Sequence, residues 1–512
     1  MIYDYILHHC FLSSLSKYPA KTAIHDNSGS LSFDELAHKA SFVYDELLKI
    51  GVKPLDRVAF YFDHDHRQAV SILGICATGA TFIPIHALLK PAQVQHILAD
   101  VEVTVLLTSR DRKDGLKDII PDCPHLKHIL ILDTIGDATT VFPRNIPVIE
   151  NDCAAILYTS GSSGRPKGVM ISHKNLVVGG RIVSQYLSLT EKDVLLGILP
   201  LSFDYGLNQL VTMIMTGGTY CFFSFRLPNE IVAALAKYDI TGLAGIPPIW
   251  ALLIRSSIGK TSLPRLRYIT NSGGAVPTYV LQKLRELIPN TEIILMYGLT
   301  EAFRSSYLEF KDFDSHMTSI GKAIPNNELF VVREDGSMCD PLEHGELVHR
   351  GPTVSLGYWN REEENNIRFK QYNCPRGGAG QISSEMAVFS GDIAYRDNDG
   401  FLYIVGRKDN MIKSLGFRMS PSEIEEIVFS SGFIKEVAAI GISDPNAGHL
   451  IKLYLVPLEP GKNDEAQKLL IEYNAKNMPY YMIPKMYEFV DQLPKTASGK
   501  IDYPALKARN QQ

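Results

Sequence analysis

The chain has 512 residues, 45% of them hydrophobic and 21% charged, and its formal net charge is -5. This balance gives no basic field for nucleic acid or an acidic membrane surface, so the expected partner is a small molecule. Seven scattered cysteines without a Cys-x-x-Cys pair, an acid near the amino terminus and apolar runs far shorter than a span of roughly 20 residues predict a cytoplasmic protein with no integral membrane segment.

The amino-terminal part alternates helical and extended patterns. Ser32 and Glu35 are spaced as a capping box, which predicts an amphipathic helix running toward Leu48. Strands are predicted at the apolar segments 57–62, 82–85, 103–107 and 128–132. The alternation indicates α/β layers with parallel strands.

Residues 156–168, Ile-Leu-Tyr-Thr-Ser-Gly-Ser-Ser-Gly-Arg-Pro-Lys-Gly, are typical of a phosphate-binding segment. Glycines let the backbone approach an anion, hydroxyls add neutral donors and a lysine adds a cation. The predicted phosphate ligands are Thr159, Ser160, Gly161, Ser162, Ser163, Gly164 and Lys167. The segment differs from the Walker pattern because Lys167 precedes Gly168 and Pro166 stands where a helix would begin. The alternative is a flexible polar surface loop.

Polar residues follow three later predicted strands. The turn at residues 199–207 ends one strand, Ser272 to Ala275 follow a strand at 266–270, and Gly298 to Glu301 follow a strand at 292–296. Ligands of open α/β sheets collect at the carboxyl ends of strands. The three turns are therefore expected to share one crevice with the phosphate-binding segment.

The pattern changes to short strands and turns from about residue 319, which predicts a β-rich subdomain at 319–408. A domain boundary is expected near Asp409. Beyond it, Ser420 and Glu423 are spaced as a second capping box with Pro421 at the first helical position. Strands at 437–442 and 452–456 and a helix at 466–477 then predict a compact α+β module of about 100 residues.

With these segments in order, the chain resembles the adenylate-forming superfamily of acyl-CoA synthetases, amino-acid adenylation domains and luciferases. The matching motifs are residues 158–168, 297–301, 390–392, 406–409 with Lys413, and 493–500. More narrowly, residues 199–207 and 296–304 look like the exosortase-associated acyl-CoA ligase subgroup. The resemblance implies a large domain, 1–408, of layered α/β subdomains and the β-rich subdomain, followed by a small mobile α+β domain, 409–512, with its hinge at Asp409.

The resemblance also implies two half reactions at one site. A carboxylate attacks the α-phosphate of ATP to give an acyl adenylate, and the thiol of coenzyme A or of a carrier protein's phosphopantetheine then displaces AMP. The first step brings two anions together, so the site must supply positive charge. Lys500 matches the catalytic lysine, Glu301 would hold Mg²⁺ and Thr300 would donate to the α-phosphate.

Further roles follow from the same resemblance. Asp392 and Arg407 would bind the ribose, and Tyr297 would offer a face to adenine. The backbone beside the adenine would come from Gly273, Gly274, Ala275 and Gly298. Rotation of the small domain would withdraw Lys500 and bring up Lys413 and Gly416 for the pantetheine arm. Simpler roles remain for single residues: Asp392 could end a strand, Tyr297 could be core and Lys500 could lie in a solvated turn.

The acid substrate depends on Asp204, which lies where amino-acid-activating relatives bind the substrate ammonium group. Arg304 is the alternative partner, and the internal pair is preferred because an acid and an arginine in one pocket attract each other. That pair would leave a fatty or small hydroxy acid as substrate, whereas a free Asp204 would favour an amino acid loaded onto a peptidyl carrier protein. The other predicted pocket residues are Phe203, Tyr205, Asn208, Ser272 and Met296.

Three other functions compete with this one: an ATPase that releases ADP, a ligand-binding pseudoenzyme and an enzyme that oxidises the adenylate with oxygen. The loop pattern and Lys500 argue against the ATPase, and the full set of site residues argues against the pseudoenzyme. Because the sequence ends at Gln512, any carrier protein is expected to be a separate partner.

Overall fold

The computed structural model describes residues 4–160, 166–375, 382–408, 410–414, 417–444, 448–459, 461–496 and 499–510. The first elements are α1 (Leu7–Lys17), β1 (Thr22–Asp26), β2 (Gly29–Ser32), α2 (Phe33–Lys49), β3 (Arg57–Tyr61), α3 (His66–Thr78), β4 (Thr81–Pro84), α4 (Pro91–Asp100), β5 (Val105–Thr108), α5 (Arg110–Asp114), β6 (His128–Ile131), β7 (Cys153–Ser160), β8 (Pro166–Ser172), α6 (His173–Tyr186) and β9 (Val194–Gly197). The Ser32 capping box and the four predicted strands are confirmed, with strand ends shifted by at most two residues.

The middle of the chain continues the alternation of helix and strand and then becomes β-rich. Its elements are α7 (Asp204–Thr216), β10 (Thr219–Phe222), α8 (Pro228–Lys237), β11 (Gly242–Gly245), α9 (Pro247–Leu253), β12 (Tyr268–Asn271), α10 (Thr278–Leu287), β13 (Glu292–Tyr297), β14 (Ser306–Leu308), β15 (Lys322–Ala323), β16 (Glu328–Val332), β17 (Gly345–Arg350), β18 (Gly357–Tyr358), α11 (Glu362–Arg368), β19 (Phe369–Pro375), β20 (Ile382–Arg396) and β21 (Leu402–Arg407). The turn expected at 199–207 is shorter than predicted, because α7 already begins at Asp204.

The last elements form a separate α+β unit. They are β22 (Ile412–Ser414), β23 (Phe417–Met419), α12 (Pro421–Ser430), β24 (Ile434–Asp444), β25 (Gly448–Pro457), α13 (Asn463–Asn477), β26 (Met486–Phe489) and α14 (Tyr503–Ala508). The Ser420 hydroxyl caps α12, but it accepts from the N–H of Ser422 and not from that of Glu423. The N-cap at Ser420 is therefore confirmed, whereas the expected hydrogen bond from the Glu423 N–H to the Ser420 hydroxyl is wrong.

Two large sheets form the body of the protein. One has the order β15-β14-β13-β12-β11-β9-β10-β1-β2, and its strands from β13 to β1 are parallel. The other has the order β18-β8-β7-β4-β3-β5-β6, with β7 and β8 joined as an antiparallel hairpin. Phe60 and Phe82 of the second sheet and Leu196 and Tyr220 of the first belong to one buried cluster. The two sheets thus share a core, which fixes their relative position.

The β-rich part contributes an antiparallel sheet, β16-β17-β20-β19, with β21 paired to β20. Its short strand β18 instead joins β8 of the second large sheet. The small unit has its own sheet, β23-β22-β25-β24, with β26 parallel to β25. Every helix that the structure describes is too short or too polar to cross a membrane.

The small unit touches the large one at the crevice. The hydroxyl of Thr278, the first residue of α10, donates to Glu426 of α12 at 2.5 Å. The ammonium of Lys500 lies 5.8 Å from the centre of the Phe203 ring. The mixed α/β architecture with a large and a smaller unit is as predicted, whereas the exact division at residue 408 stays a prediction because Asp409 lies outside the described residues.

A carboxyl group inside the small unit links three of its elements. Glu425 of α12 accepts from the N–H of Ala439 in β24 at 2.7 Å and from the hydroxyl of Tyr503 in α14 at 2.6 Å. Burial raises the pKa of Glu425 to about 7, although both donors act in the opposite direction. The native state therefore keeps a proton on Glu425 at pH values where the unfolded chain has lost it.

We expect Glu425 to make the stability of the small unit fall as the pH rises from about 4.5 to about 7. In that window the unfolded state ionises first, so each further rise in pH favours unfolding. Glu425→Gln keeps an acceptor oxygen and cannot ionise, so its stability relative to the parent should increase between about pH 5 and about pH 8. Denaturant unfolding of both proteins at these pH values measures the difference, and a difference independent of pH would contradict the prediction.

Candidate active site

The predicted crevice is formed by neighbouring strands of the nine-stranded sheet. β9, β11, β12 and β13 are adjacent and parallel, so the segments that follow them emerge at one edge. Phe203 and Asp204 follow β9, Ser272 follows β12 and Thr300 follows β13. The sequence placed these turns together for this reason, and the structure brings them into contact.

Asp204 and Arg304 form a buried ion pair in this crevice. Arg304 Nη1 donates to Asp204 Oδ2 at 3.1 Å, and the two side chains are 2% and 5% exposed. The Thr300 hydroxyl approaches Asp204 Oδ1 at 3.4 Å. The expected internal pair is therefore present, and the Asp204 carboxylate already has a cationic partner.

The remaining predicted pocket residues surround this pair with aromatic and small groups. The Arg304 guanidinium lies 5.0 Å from the centre of the Tyr205 ring, and the Tyr205 hydroxyl donates to the Thr270 carbonyl at 2.8 Å. Asn208 lies one helical turn after Asp204 on the buried face of α7. Ser272 and Met296 are buried, and Phe203 is half-buried.

Lys500 reaches the same crevice from the small unit. Gly273 has a φ of +84°, and a β-carbon there would lie 3.5 Å from Lys500 Cε and 3.6 Å from the Phe203 ring. A left-handed backbone favours glycine, and a β-carbon here would be in ordinary van der Waals contact with the lysine stem and the Phe203 ring. Gly274 and Ala275 are exposed at the rim, where the Gly274 carbonyl accepts from Asn271 Nδ2 at 2.9 Å.

Glu301 lies deeper in the crevice and has two polar neighbours that the sequence did not predict. The Tyr358 hydroxyl donates to Glu301 Oε1, and Arg368 Nε lies 3.9 Å from the same oxygen. Burial raises the pKa of the Tyr358 hydroxyl, and the Glu301 carboxylate adds to that effect. A buried carboxylate suits Mg²⁺, which proteins usually hold through one or two carboxylates together with substrate phosphates.

The predicted phosphate-binding segment includes the end of β7 and the start of β8, which pair antiparallel. Thr159 pairs with Lys167 across the hairpin, and the predicted ligands Gly161, Ser162, Ser163 and Gly164 lie outside the described residues. Ser160 ends β7. The Lys167 ammonium lies 3.2 Å from Glu364 Oε1 and 5.6 Å from the centre of the Tyr358 ring. Tyr358 thus stands between Lys167 and Glu301.

The predicted nucleoside residues also meet. Asp392 Oδ1 accepts from Arg407 Nη1 at 3.2 Å, and Asp392 Oδ2 accepts from the Tyr297 hydroxyl. His349 stacks on the Tyr297 ring at a centroid distance of 5.7 Å. Burial lowers the pKa of His349 to about 3, so this ring is neutral. Tyr297 therefore holds Asp392 in place, while its role toward adenine, like that of Gly298 beside it, stays a prediction.

The residues predicted to serve the second half reaction are only partly described. Lys413 belongs to strand β22, and nothing is described of its side chain. Gly416 and the predicted hinge Asp409 lie outside the described residues. Their roles stay predictions.

Sequence reasoning missed Tyr358, Arg368 and His349. Each is remote in sequence from the residue it contacts: Tyr358 and Arg368 follow Glu301 by more than fifty positions, and His349 follows Tyr297 similarly. One available signal for Arg368 was its position four residues after Glu364, the last residue of an acidic run.

Comparison with known proteins identifies the family. The model of the AMP-binding enzyme family matches residues 11–359, and that of the AMP-binding enzyme C-terminal domain matches residues 423–500. The chain belongs to the AMP-binding enzymes. A long-chain-fatty-acid–CoA ligase of Bacillus subtilis (strain 168) is 26% identical, covering 95% of this chain and 91% of the relative. A feruloyl-CoA synthase of an Amycolatopsis species is 28% identical, covering 94% of each.

Solved structures show the same fold. The anthranilate CoA ligase AuaEII in complex with anthranoyl-AMP superposes with a TM-score of 0.90 at 24% identity, covering 99% of this chain and 98% of that one. With the family and the relatives that match along the whole chain, this AMP-binding enzyme is an AMP-forming acid–thiol ligase: it activates an acid as its adenylate and forms an acyl thioester. The narrower resemblance to the exosortase-associated subgroup stays a prediction.

Breaking the buried ion pair should destabilise the large unit. Arg304→Leu leaves the Asp204 carboxylate buried without its cation, so we expect the free energy of unfolding to fall by about 3 to 5 kcal/mol. The double variant Asp204→Leu, Arg304→Leu removes both charges and should lose clearly less. Denaturant unfolding of the parent and both variants measures these values, and a single variant as stable as the parent would disprove the energetic role of the pair.

Proposed function

We propose that this enzyme uses ATP to convert a carboxylic acid without an α-amino group into its coenzyme A thioester. The position of Lys500 carries the proposal. A lysine from the last part of the chain lies beside Phe203 and Gly273, at the edge of the predicted acyl pocket. An ammonium at this place can approach a carboxylate and the α-phosphate together.

Charge accounts for the first half reaction. Two anions must come together, and the negative charge on the phosphoryl oxygens must be matched as the new P–O bond forms. Lys500 supplies a cation on the acyl side, Thr300 supplies a hydroxyl donor, and Lys167 binds the β- and γ-phosphates that leave as pyrophosphate. Mg²⁺, held by Glu301, would supply further positive charge to the phosphates when bound.

The nucleoside is bound at the β-rich part. Asp392 accepts hydrogen bonds from the ribose hydroxyls, and Arg407 and Tyr297 keep its carboxylate in position. Adenine lies against Tyr297 and the backbone at Gly273, Gly274, Ala275 and Gly298. These assignments rest on the family resemblance and on the proximity of the residues concerned.

The buried pair argues for the substrate class. Arg304 already donates a hydrogen bond to the Asp204 carboxylate at 3.1 Å, so a substrate ammonium group would have to displace the guanidinium. The substrate is therefore a fatty acid or a small hydroxy acid. An amino-acid-activating enzyme that loads a peptidyl carrier protein is not favoured, since a long-chain-fatty-acid–CoA ligase and a feruloyl-CoA synthase match over more than 90% of their lengths.

In the second half reaction the small domain rotates about Asp409. Rotation withdraws Lys500, and the segment with Lys413 and Gly416 lines the path of the pantetheine arm. The thiolate attacks the acyl carbonyl carbon, the acyl–phosphate bond breaks and AMP leaves. Coenzyme A is the thiol, and a separate carrier protein bearing phosphopantetheine is the alternative acceptor.

Removing the lysine should separate the two half reactions. We expect Lys500→Ala to slow acid-dependent ATP–pyrophosphate exchange about 10²- to 10³-fold, because a preorganised charge at the transition state is lost. The same variant should convert a supplied acyl adenylate and coenzyme A to thioester at close to the parental rate. An equal loss in both assays would contradict the proposed role of Lys500.

A substrate panel tests the acid and the acceptor. ATP–pyrophosphate exchange with fatty, hydroxy and amino acids should respond to the first two classes in the parent. Thioester formation is then measured with coenzyme A and with a phosphopantetheinyl carrier protein. Amino-acid-dependent exchange that is lost in Asp204→Ala would overturn the proposed substrate class, and release of ADP instead of AMP would overturn the reaction.

A further inference from the structure

Helix α11 places two opposite charges against two residues of the predicted ATP site. Glu364 Oε1 lies 3.2 Å from the Lys167 ammonium, and Arg368 Nε lies 3.9 Å from Glu301 Oε1. Residues four apart lie on the same face of a helix. One face of α11 therefore meets both the lysine of the phosphate-binding hairpin and the carboxylate predicted to hold Mg²⁺.

The contact of Arg368 with Glu301 is largely shielded from water, whereas that of Glu364 with Lys167 is partly exposed. The side chains of Lys167, Glu301 and Arg368 are 13%, 11% and 20% exposed, and that of Glu364 is 35% exposed. Tyr358 lies between the two pairs, with its ring near Lys167 and its hydroxyl donating to Glu301. Partly buried charges are screened less by salt than exposed ones, so each charge on α11 acts on its partner.

The same contacts oppose ATP binding if they persist. A carboxylate at 3.2 Å from Lys167 would repel phosphate oxygens bound to that lysine. A guanidinium at 3.9 Å from Glu301 would repel a divalent cation on that carboxylate. Both repulsions weaken if Glu364 and Arg368 turn toward each other, because a glutamate four residues before a basic residue forms a favourable pair on a helix.

We propose that Glu364 and Arg368 are counter-ions that position Lys167 and Glu301 in the ATP-free enzyme and exchange partners when MgATP binds. Lys167 then binds phosphate, Glu301 binds the cation, and Glu364 pairs with Arg368. The exchange rests on the proposed function, since it assigns Lys167 and Glu301 to MgATP. The guanidinium need not leave its place entirely, because Arg368 Nη1 also donates to the Phe389 carbonyl at 2.9 Å.

The exchange predicts a gain in affinity when one counter-ion is neutralised. Glu364→Gln removes the competitor for Lys167, so the dissociation constant of a non-hydrolysable ATP analogue with Mg²⁺ should fall about two- to fivefold, as expected for a partly exposed ion pair. Glu363→Gln is the matched control, because Glu363 lies on the same helix and is exposed. Isothermal titration calorimetry measures all three proteins, and raised salt should reduce the difference.

Arg368 gives an independent test. Arg368→Gln should lower the Mg²⁺ concentration needed for half-maximal binding of the analogue about two- to fivefold, and Arg368→Lys, which keeps the charge, should resemble the parent. If Arg368→Gln instead raises the Mg²⁺ requirement, the arginine serves the bound nucleotide directly and the counter-ion role is overturned. Unchanged or weaker binding by Glu364→Gln, with Glu364→Ala as the second variant, also overturns it.

Failure of the inference differs from failure of the proposed function. If the parent binds the analogue and catalyses ATP–pyrophosphate exchange while the substitutions on α11 change nothing, only the counter-ion exchange is wrong. If the parent neither binds the analogue nor catalyses exchange with any acid, the proposed function is wrong.

Discussion

The parallel pairing of β9, β11, β12 and β13 is the constraint on which the site depends. Parallel strands end at the same edge of a sheet, so the backbone direction brings together segments up to a hundred residues apart. The start of α7, the Ser272–Ala275 turn and the Thr300–Arg304 segment meet at that edge. Their contacts are side-chain contacts, but the hydrogen-bonded register of the strands makes them possible.

The charged side chains of the predicted site lie in pairs of opposite sign. Asp204 faces Arg304, Asp392 faces Arg407, Glu301 faces Arg368 and Lys167 faces Glu364. Burying a single charge without a partner is costly, so each pairing allows an ionised group to remain close to the crevice. The pairs differ in depth. Asp204 and Arg304 are almost completely buried and shape the pocket, whereas Lys167 and Glu364 retain enough exposure to change partners.

The small unit contributes a residue to the predicted site without belonging to the sheets of the large unit. Its sheet, with β26 added to β25, packs its own core, and it reaches the crevice through Lys500 and through the Thr278–Glu426 hydrogen bond. A catalytic group on a separate unit can approach for one step and leave for the next. For Lys500, whose catalytic role is proposed above, that division gives a physical reason for a position near the end of the chain, far in sequence from Lys167.

By itself the sequence determined the alternating elements, the strand-end turns, the order of the motifs and hence the family, because these depend on local pattern and spacing. The resemblance to the family also placed Asp204 and Arg304 in one pocket. Only the tertiary structure decided which partner each charge takes. Glu301 contacts Tyr358 and Arg368, and Tyr297 contacts His349 and Asp392. Lys167 contacts Glu364. These partners are too far apart in sequence for a local pattern to predict them. Such partners are set by how β18, α11 and the β-rich sheet pack against the crevice, and that packing depends on the whole core.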